Sequence, residues 1–521
     1  MNIVLDGNSV SIDSIVHVAR HAAVVSVAED ARERLRRSRR LVEVAVENNQ
    51  AIYGVTTGIG EFARVRIEAA QASEMQQRIV RSHAAGTGDA LPQEVVRAAM
   101  LLRANCFAKG YSAVREELLD TLLSMINRGI VPYVYEKGSL GASGDLAPLA
   151  HMALVVIGEG RAWYKGELLP GKVALERAGL EPMKLTYKEG LGLINGTQVM
   201  SGAAALLIHD AEQAVKHACI AGAMTLDALR AVDHPYDPPV HRVRPYPGQS
   251  AVAANLRQVF ADSEIMAQKS GKVQDGYSMR CTPQILGPTF DTLEYVRSMI
   301  TIEMNSATDN PLFFPEEGQY YAAGNFHGQG VGMVMDFLCI ALAEVANLAE
   351  RHINRMLNPV LSGLPDFLID SKGLNSGLMV AQYTAAALVS ENKVLSHPAS
   401  VDSISVSADQ EDHVSMGPIA VRKCTEILKN VQTVLAIEML CACQALDFHH
   451  GLKPGRGSRA AHEVIRSKVP FMTEDRPIHA DVEQVRELML SGAVIEAVED
   501  AVGPLLLARD VTDLPRPNVP H

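Results

Sequence analysis

A chain of 521 residues, 47% of them hydrophobic, is long enough to bury a large core, and a formal net charge of −12 leaves no basic stripe to neutralise nucleic-acid phosphates. The seven cysteines, an odd number without C-x-x-C spacing, are expected as reduced thiols in a cytoplasmic setting. Small solutes and copies of the chain itself are the expected partners, not nucleic acid or membrane.

The opening MNIVLDGNSVSIDSIV has no basic stretch followed by an apolar one, so no secretory signal is expected. YGVTTGIGEFA, residues 53–63, is rich in glycine but lies in no strand-to-helix unit with a downstream acid, which argues against a dinucleotide site. KGSLGASGDLAP, residues 137–148, sets a glycine-flanked Ala-Ser-Gly beside an aspartate. It lacks the G-x-S-x-G spacing of a nucleophile elbow, so a serine hydrolase is disfavoured. GELLPGKV, residues 166–173, nearly matches a phosphate loop, yet Val173 stands where a hydroxyl must hold magnesium, so a surface turn is expected.

LINGTQ, residues 193–198, precedes the first of four long helical stretches, 198–232, 332–357, 376–395 and 418–448. VQDGYSMRCTPQ, ATDNPL, AAGNFHGQGVG and SADQEDHVSMGP are the polar turns between and beside them. The most apolar stretch, within 331–353, carries Asp336, Glu344 and Glu350 and reads as a core helix rather than a membrane span. His449 and His450 have no spaced partner histidine or cysteine cluster, so metal catalysis has no support. DLPRPNVPH at the end reads as a frayed tail. Strand-helix alternation is absent, so the expected fold is mostly α. It is a long central helical bundle (198–521) with a smaller N-terminal region of loops and helices (1–197), its outer helix faces buried again by oligomerisation.

GSLGASGDLAPLAHMALVVIGEG resembles the core signature of the histidine and aromatic amino-acid ammonia-lyases, and the resemblance runs from LDGNSVSI to about Thr473. It implies that Ala142, Ser143 and Gly144 cyclise with loss of two waters into 4-methylidene-imidazol-5-one (MIO), an electrophile no ordinary side chain supplies, without metal or external cofactor. Gly144 would bring the attacking nitrogen, and lacking Cβ it suits the tight geometry.

The same resemblance assigns the remaining loops. Tyr53 becomes the base, and since a tyrosine has a pKa near ~10, a cationic neighbour or helix N-terminus is expected to lower it. Arg280 holds a carboxylate in its planar fork, with Gln274 and Tyr277 beside it. Asn195 serves the MIO group or the substrate, and GNFHGQ contributes Phe326 and Gln329 to the pocket. RSHAAGTG places His83 at the substrate side chain, and PASVDSISVSADQEDHVSMG places Glu411 there, an acid that suits an imidazole and would be unsatisfied against an apolar ring. The implied reaction is elimination of ammonia from L-histidine to trans-urocanate in a homotetramer with shared sites. A tyrosine or phenylalanine lyase, an aromatic 2,3-aminomutase, or a helical scaffold without catalysis are the alternatives. Thr56, Ile59, Gly276 and Gly330 depart from the usual Asn, Phe, Pro or Ala, and Pro, and they bear on specificity and loop mobility.

Overall fold

The computed structural model describes residues 2–268 and 271–512, and the expected frayed tail at 513–521 lies outside them. Contacts divide the chain into two compact units, each assembled from three segments: 1–209, 297–336 and 398–422 in the first, and 210–296, 337–397 and 423–521 in the second. The single cut expected between 197 and 198 is not among these boundaries. All but the one at 397/398 fall inside long helices, where helical periodicity continues without a mark.

The fold is mostly helical, and the four long helices appear where periodicity places them, as Gln198–Ala228, Gln329–Leu357, Met379–Leu395 and Gly417–Asp447. The helix Gln329–Leu357 has the length and apolar composition of a membrane span, but 61% of its most apolar window is buried inside the protein, as expected of a core helix.

In the first unit, the strands Asn2–Leu5 and Val24–Val27 pair in parallel across the helix Ile12–His21, whose N-cap Ser11 accepts from the Ser14 amide. A three-stranded antiparallel sheet is formed by Val131–Pro132, Arg161–Tyr164 and Glu167–Pro170. The helix Gln93–Ala108 is the centre of this unit, because every residue from Ala98 to Ala108 is buried. One of them, Arg103, donates to the carbonyls of Gly192 and Asn195 and to Gln198 Oε1. It thereby caps the C-terminal end of the short helix Glu189–Ile194, where the helix dipole favours a cation. Lys188 and Asp309 form a fully buried ion pair at 2.8 Å beside the same helix. Two charged groups thus hold in place the turn that carries Asn195.

The named elements of the second unit are all helices among the described residues, and Pro247–Val259, Arg456–Arg466, Ile478–Leu490 and Ala493–Val502 pack on one another. Small side chains such as Ala221, Ala223, Ala436 and Ala442 are fully buried there and let the helix axes approach.

Candidate active site

The Ala-Ser-Gly loop is built by close contact with a second glycine turn. Gly144 has φ +69°, and a β-carbon on it would lie 2.1 Å from the Gly196 carbonyl oxygen. The two glycines pair as a parallel bridge, the Asp145 amide donates to Gly196 O at 2.7 Å, and the Gly196 amide reaches Ser143 O at 3.4 Å. Asn195 Nδ2 stands 3.5 Å from the same Ser143 oxygen. Ala142 is buried against Val414 and Met416. A residue bearing a side chain at position 144 could not take this conformation, so the tripeptide fits the cyclisation that the sequence implies.

Asp145 ties this loop to the long helix that follows. Its Oδ2 accepts from the Val199 and Met200 amides at 2.9 Å each, in the first turn of Gln198–Ala228. Burial dominates its titration and pushes its pKa up to about 7, against those two hydrogen bonds.

Ser143 opens on a cavity of about 760 Å³ whose wall also holds Tyr53, His83, Asn195 and Glu411. Ser143 Oγ lies 3.4 Å from Glu411 Oε1. Glu411 is held by a tight turn in which Ser407, Ala408 and Asp409 all have positive φ and Val406 and Glu411 pair across it. Three consecutive non-glycine residues in this region are costly, about 1 kcal/mol or more each, and such strain gathers at functional sites.

Tyr53 accepts a hydrogen bond from the Gly60 amide at 2.9 Å, the first residue of the short helix Gly60–Arg64. Its pKa is nevertheless raised, first by burial and further by the Glu411 carboxylate, while only the Gly60 N–H opposes. The expected lowering cation is therefore replaced by an anion, and the helix N-terminus is outweighed by desolvation. At His83, Nδ1 faces the Ile79 carbonyl at 2.8 Å. A carbonyl only accepts, so Nδ1 carries the proton and Nε2 of the neutral ring is the acceptor.

The sequence singles out His83 alone on its helix, Ala69–His83, but Gln71, Met75, Ile79 and His83, spaced by four, line the cavity together. That spacing is one helical stripe and was available as a signal. Leu146 and Leu191 add apolar wall. Phe326 and Gln329 belong to the same unit but not to this wall, and Gln329 donates to the Ser400 carbonyl at 3.1 Å.

Gln274, Tyr277 and Arg280 belong to the second unit and cluster with one another. Arg280 Nη1 donates to Gln274 Oε1 at 2.5 Å, and its guanidinium lies 4.7 Å from the centre of the Tyr277 ring. Its Nε is buried without a hydrogen-bond partner among the described residues.

Comparison with known proteins agrees with this geometry. The family description "Aromatic amino acid lyase" matches residues 10–467. A histidine ammonia-lyase of Alkaliphilus oremlandii is 51% identical over 501 residues, 96% of this chain and 99% of that protein. The crystal structure of histidine ammonia-lyase from Trypanosoma cruzi superposes with a TM-score of 0.91 at 38% identity, covering 100% of both chains. Tyrosine aminomutase from Streptomyces globisporus gives 0.92 at 37% identity, covering 96% of this chain and 99% of that one. The chain belongs to the aromatic amino acid lyase family and is a carbon–nitrogen lyase.

Proposed function

We propose that the protein eliminates ammonia from L-histidine to give trans-urocanate, using MIO formed from Ala142, Ser143 and Gly144. The observation that carries this reading is the convergence of Ser143, Tyr53, His83 and Glu411 on one cavity, with a carboxylate 3.4 Å from the serine hydroxyl. When formed, MIO supplies an electrophilic methylidene carbon.

The chain's own residues supply the rest. Arg280 binds the substrate carboxylate through its guanidinium, assisted by Tyr277 and Gln274. The Nε2 acceptor of His83 or the Glu411 carboxylate accepts the N–H of the substrate imidazole, which favours histidine over a phenyl ring. Tyr53, at its oxygen, takes the β-proton, and Asn195 and Ser143 share a polar contact that fixes the electrophile's seat. The names of the half-identical relatives agree with this substrate.

Exposed apolar side chains on helices of the second unit, among them Phe337, Ile340, Val380 and Tyr383, support burial by further copies and a homotetramer. Seven free thiols agree with a cytoplasmic setting. The likeness to an aminomutase favours one second reading, in which ammonia is re-added at the β-carbon of an aromatic substrate.

Intact mass tests the electrophile. The wild-type chain should be lighter than its sequence by two waters, and Ser143→Ala should restore the full mass less one oxygen while abolishing turnover. A full-mass wild type that is still active would remove MIO from the proposal.

A further inference from the structure

We propose that His352 and Tyr236 are positioning residues that hold the Tyr277–Arg280 turn by its two consecutive inward carbonyls, those of Ser278 and Met279. The proposal rests on the reading of Arg280 and Tyr277 as substrate-binding residues.

The turn Tyr277–Arg280 is a helix of only four residues, and the nearby Thr282 hydroxyl, 2.9 Å from Ser278 O and 2.8 Å from Met279 O, leaves room on both carbonyls for partners from other elements. His352 Nε2 lies 2.7 Å from the Ser278 carbonyl oxygen, and the Tyr236 hydroxyl donates to the Met279 carbonyl at 3.0 Å. Both side chains are buried, and each arrives from a different element, the helix Gln329–Leu357 and the short helix His234–Tyr236. Since a carbonyl cannot donate, Nε2 must carry a proton.

Glu438 secures that proton. Its Oε1 faces His352 Nδ1 at 2.7 Å and also accepts from the Thr225 hydroxyl at 3.0 Å. An imidazole between a carboxylate and a carbonyl is doubly protonated, and the adjacent carboxylate keeps His352 charged beyond its ordinary range, although burial opposes this.

The same turn has an outward side. Tyr277 is 71% exposed, and Gln274, Tyr277 and Arg280 contact one another there. Gly276 fits the arrangement, because a β-carbon on it would sit 2.7 Å from Arg355 Nη1. One face of the turn is thus fastened to a buried polar network while the other presents the groups that bind an anionic ligand. Fixing a carboxylate fork within a few tenths of an ångström is what such fastening achieves, and a misplacement of about 1 Å can cost ~10²-fold in rate.

The test uses the full-length enzyme and L-histidine. His352→Phe, which keeps ring volume but has no N–H, should lower kcat/KM by about 10²-fold, mostly through KM. His352→Gln, whose amide retains an N–H, should recover most of that loss, and Tyr236→Phe should show a smaller rise in KM. Thermal unfolding and intact mass of each variant separate these effects from misfolding or failure to cyclise. The double variant His352→Phe/Arg280→Lys should be no worse than Arg280→Lys alone, because both act through one group.

Unchanged kinetics in His352→Phe and Tyr236→Phe, a Gln variant no better than Phe, or additive losses in the double variant would overturn the proposal while leaving the substrate reading intact. A wild-type KM in Arg280→Lys would overturn both.

Discussion

Tyr53 holds its hydroxyl 2.9 Å from the Gly60 amide while burial and the Glu411 carboxylate raise its pKa. A phenol accepts a proton only after losing its own, so the raised value places the working form on the alkaline side. The expected outcome is a kcat/KM for L-histidine that climbs with pH through the neutral range and is still rising near ~10. Glu411→Gln removes the repelling charge and should move this limb to lower pH, even though it weakens substrate orientation. A plateau at neutral pH, unmoved in the variant, would show that Tyr53 is not the titrating base. The family resemblance singled out Tyr53, His83, Asn195, Ser143 and Glu411, and all five line one cavity. The sign of the Tyr53 shift was not legible, since desolvation belongs to the assembled cavity and not to the motif.

At the scale of elements, periodicity located four of the helices to within a few residues but not the 23-residue Thr282–Met304, and the stretch expected at 198–232 forms Gln198–Ala228. It ends earlier because Arg230 enters the left-handed region at φ 50° and turns the chain. The division into units was hidden for a related reason: a helix that passes from one unit to the other keeps the same sequence pattern. The tie between the Ala-Ser-Gly loop and the first turn of Gln198–Ala228 was also invisible, because it joins a side chain to amides more than fifty residues away.

That tie has a measurable consequence. With its pKa raised from 3.8 to about 7, the Asp145 carboxyl is more easily protonated in the fold than in the unfolded chain. Its contribution to stability is therefore complete below 3.8 and is lost as pH rises through about 7. Asp145→Asn keeps an oxygen for the Val199 and Met200 amides and removes the titration. The wild-type Tm minus the variant Tm should fall across that window, and a difference independent of pH would contradict the assignment.

For the whole molecule, apolar side chains on helices of the second unit are left exposed. Phe337 is 58% exposed and Tyr383 is 62% exposed, values unusual for aromatic residues on long helices. Light scattering is expected to give a tetramer, and Phe337→Asp with Tyr383→Asp should yield smaller, inactive species. A wild-type monomer with full activity would refute shared sites. The expectation of an oligomer came from helices apolar on several faces, whereas which faces stay uncovered depends on the packing of each unit.

The most direct measurement is incubation of the purified protein with L-histidine, L-tyrosine and L-phenylalanine in separate reactions, with products identified by chromatography and ultraviolet detection. Urocanate from histidine alone is the predicted result. A cinnamate, a coumarate or a β-amino acid in its place would contradict the role given to Glu411 and with it the choice of substrate.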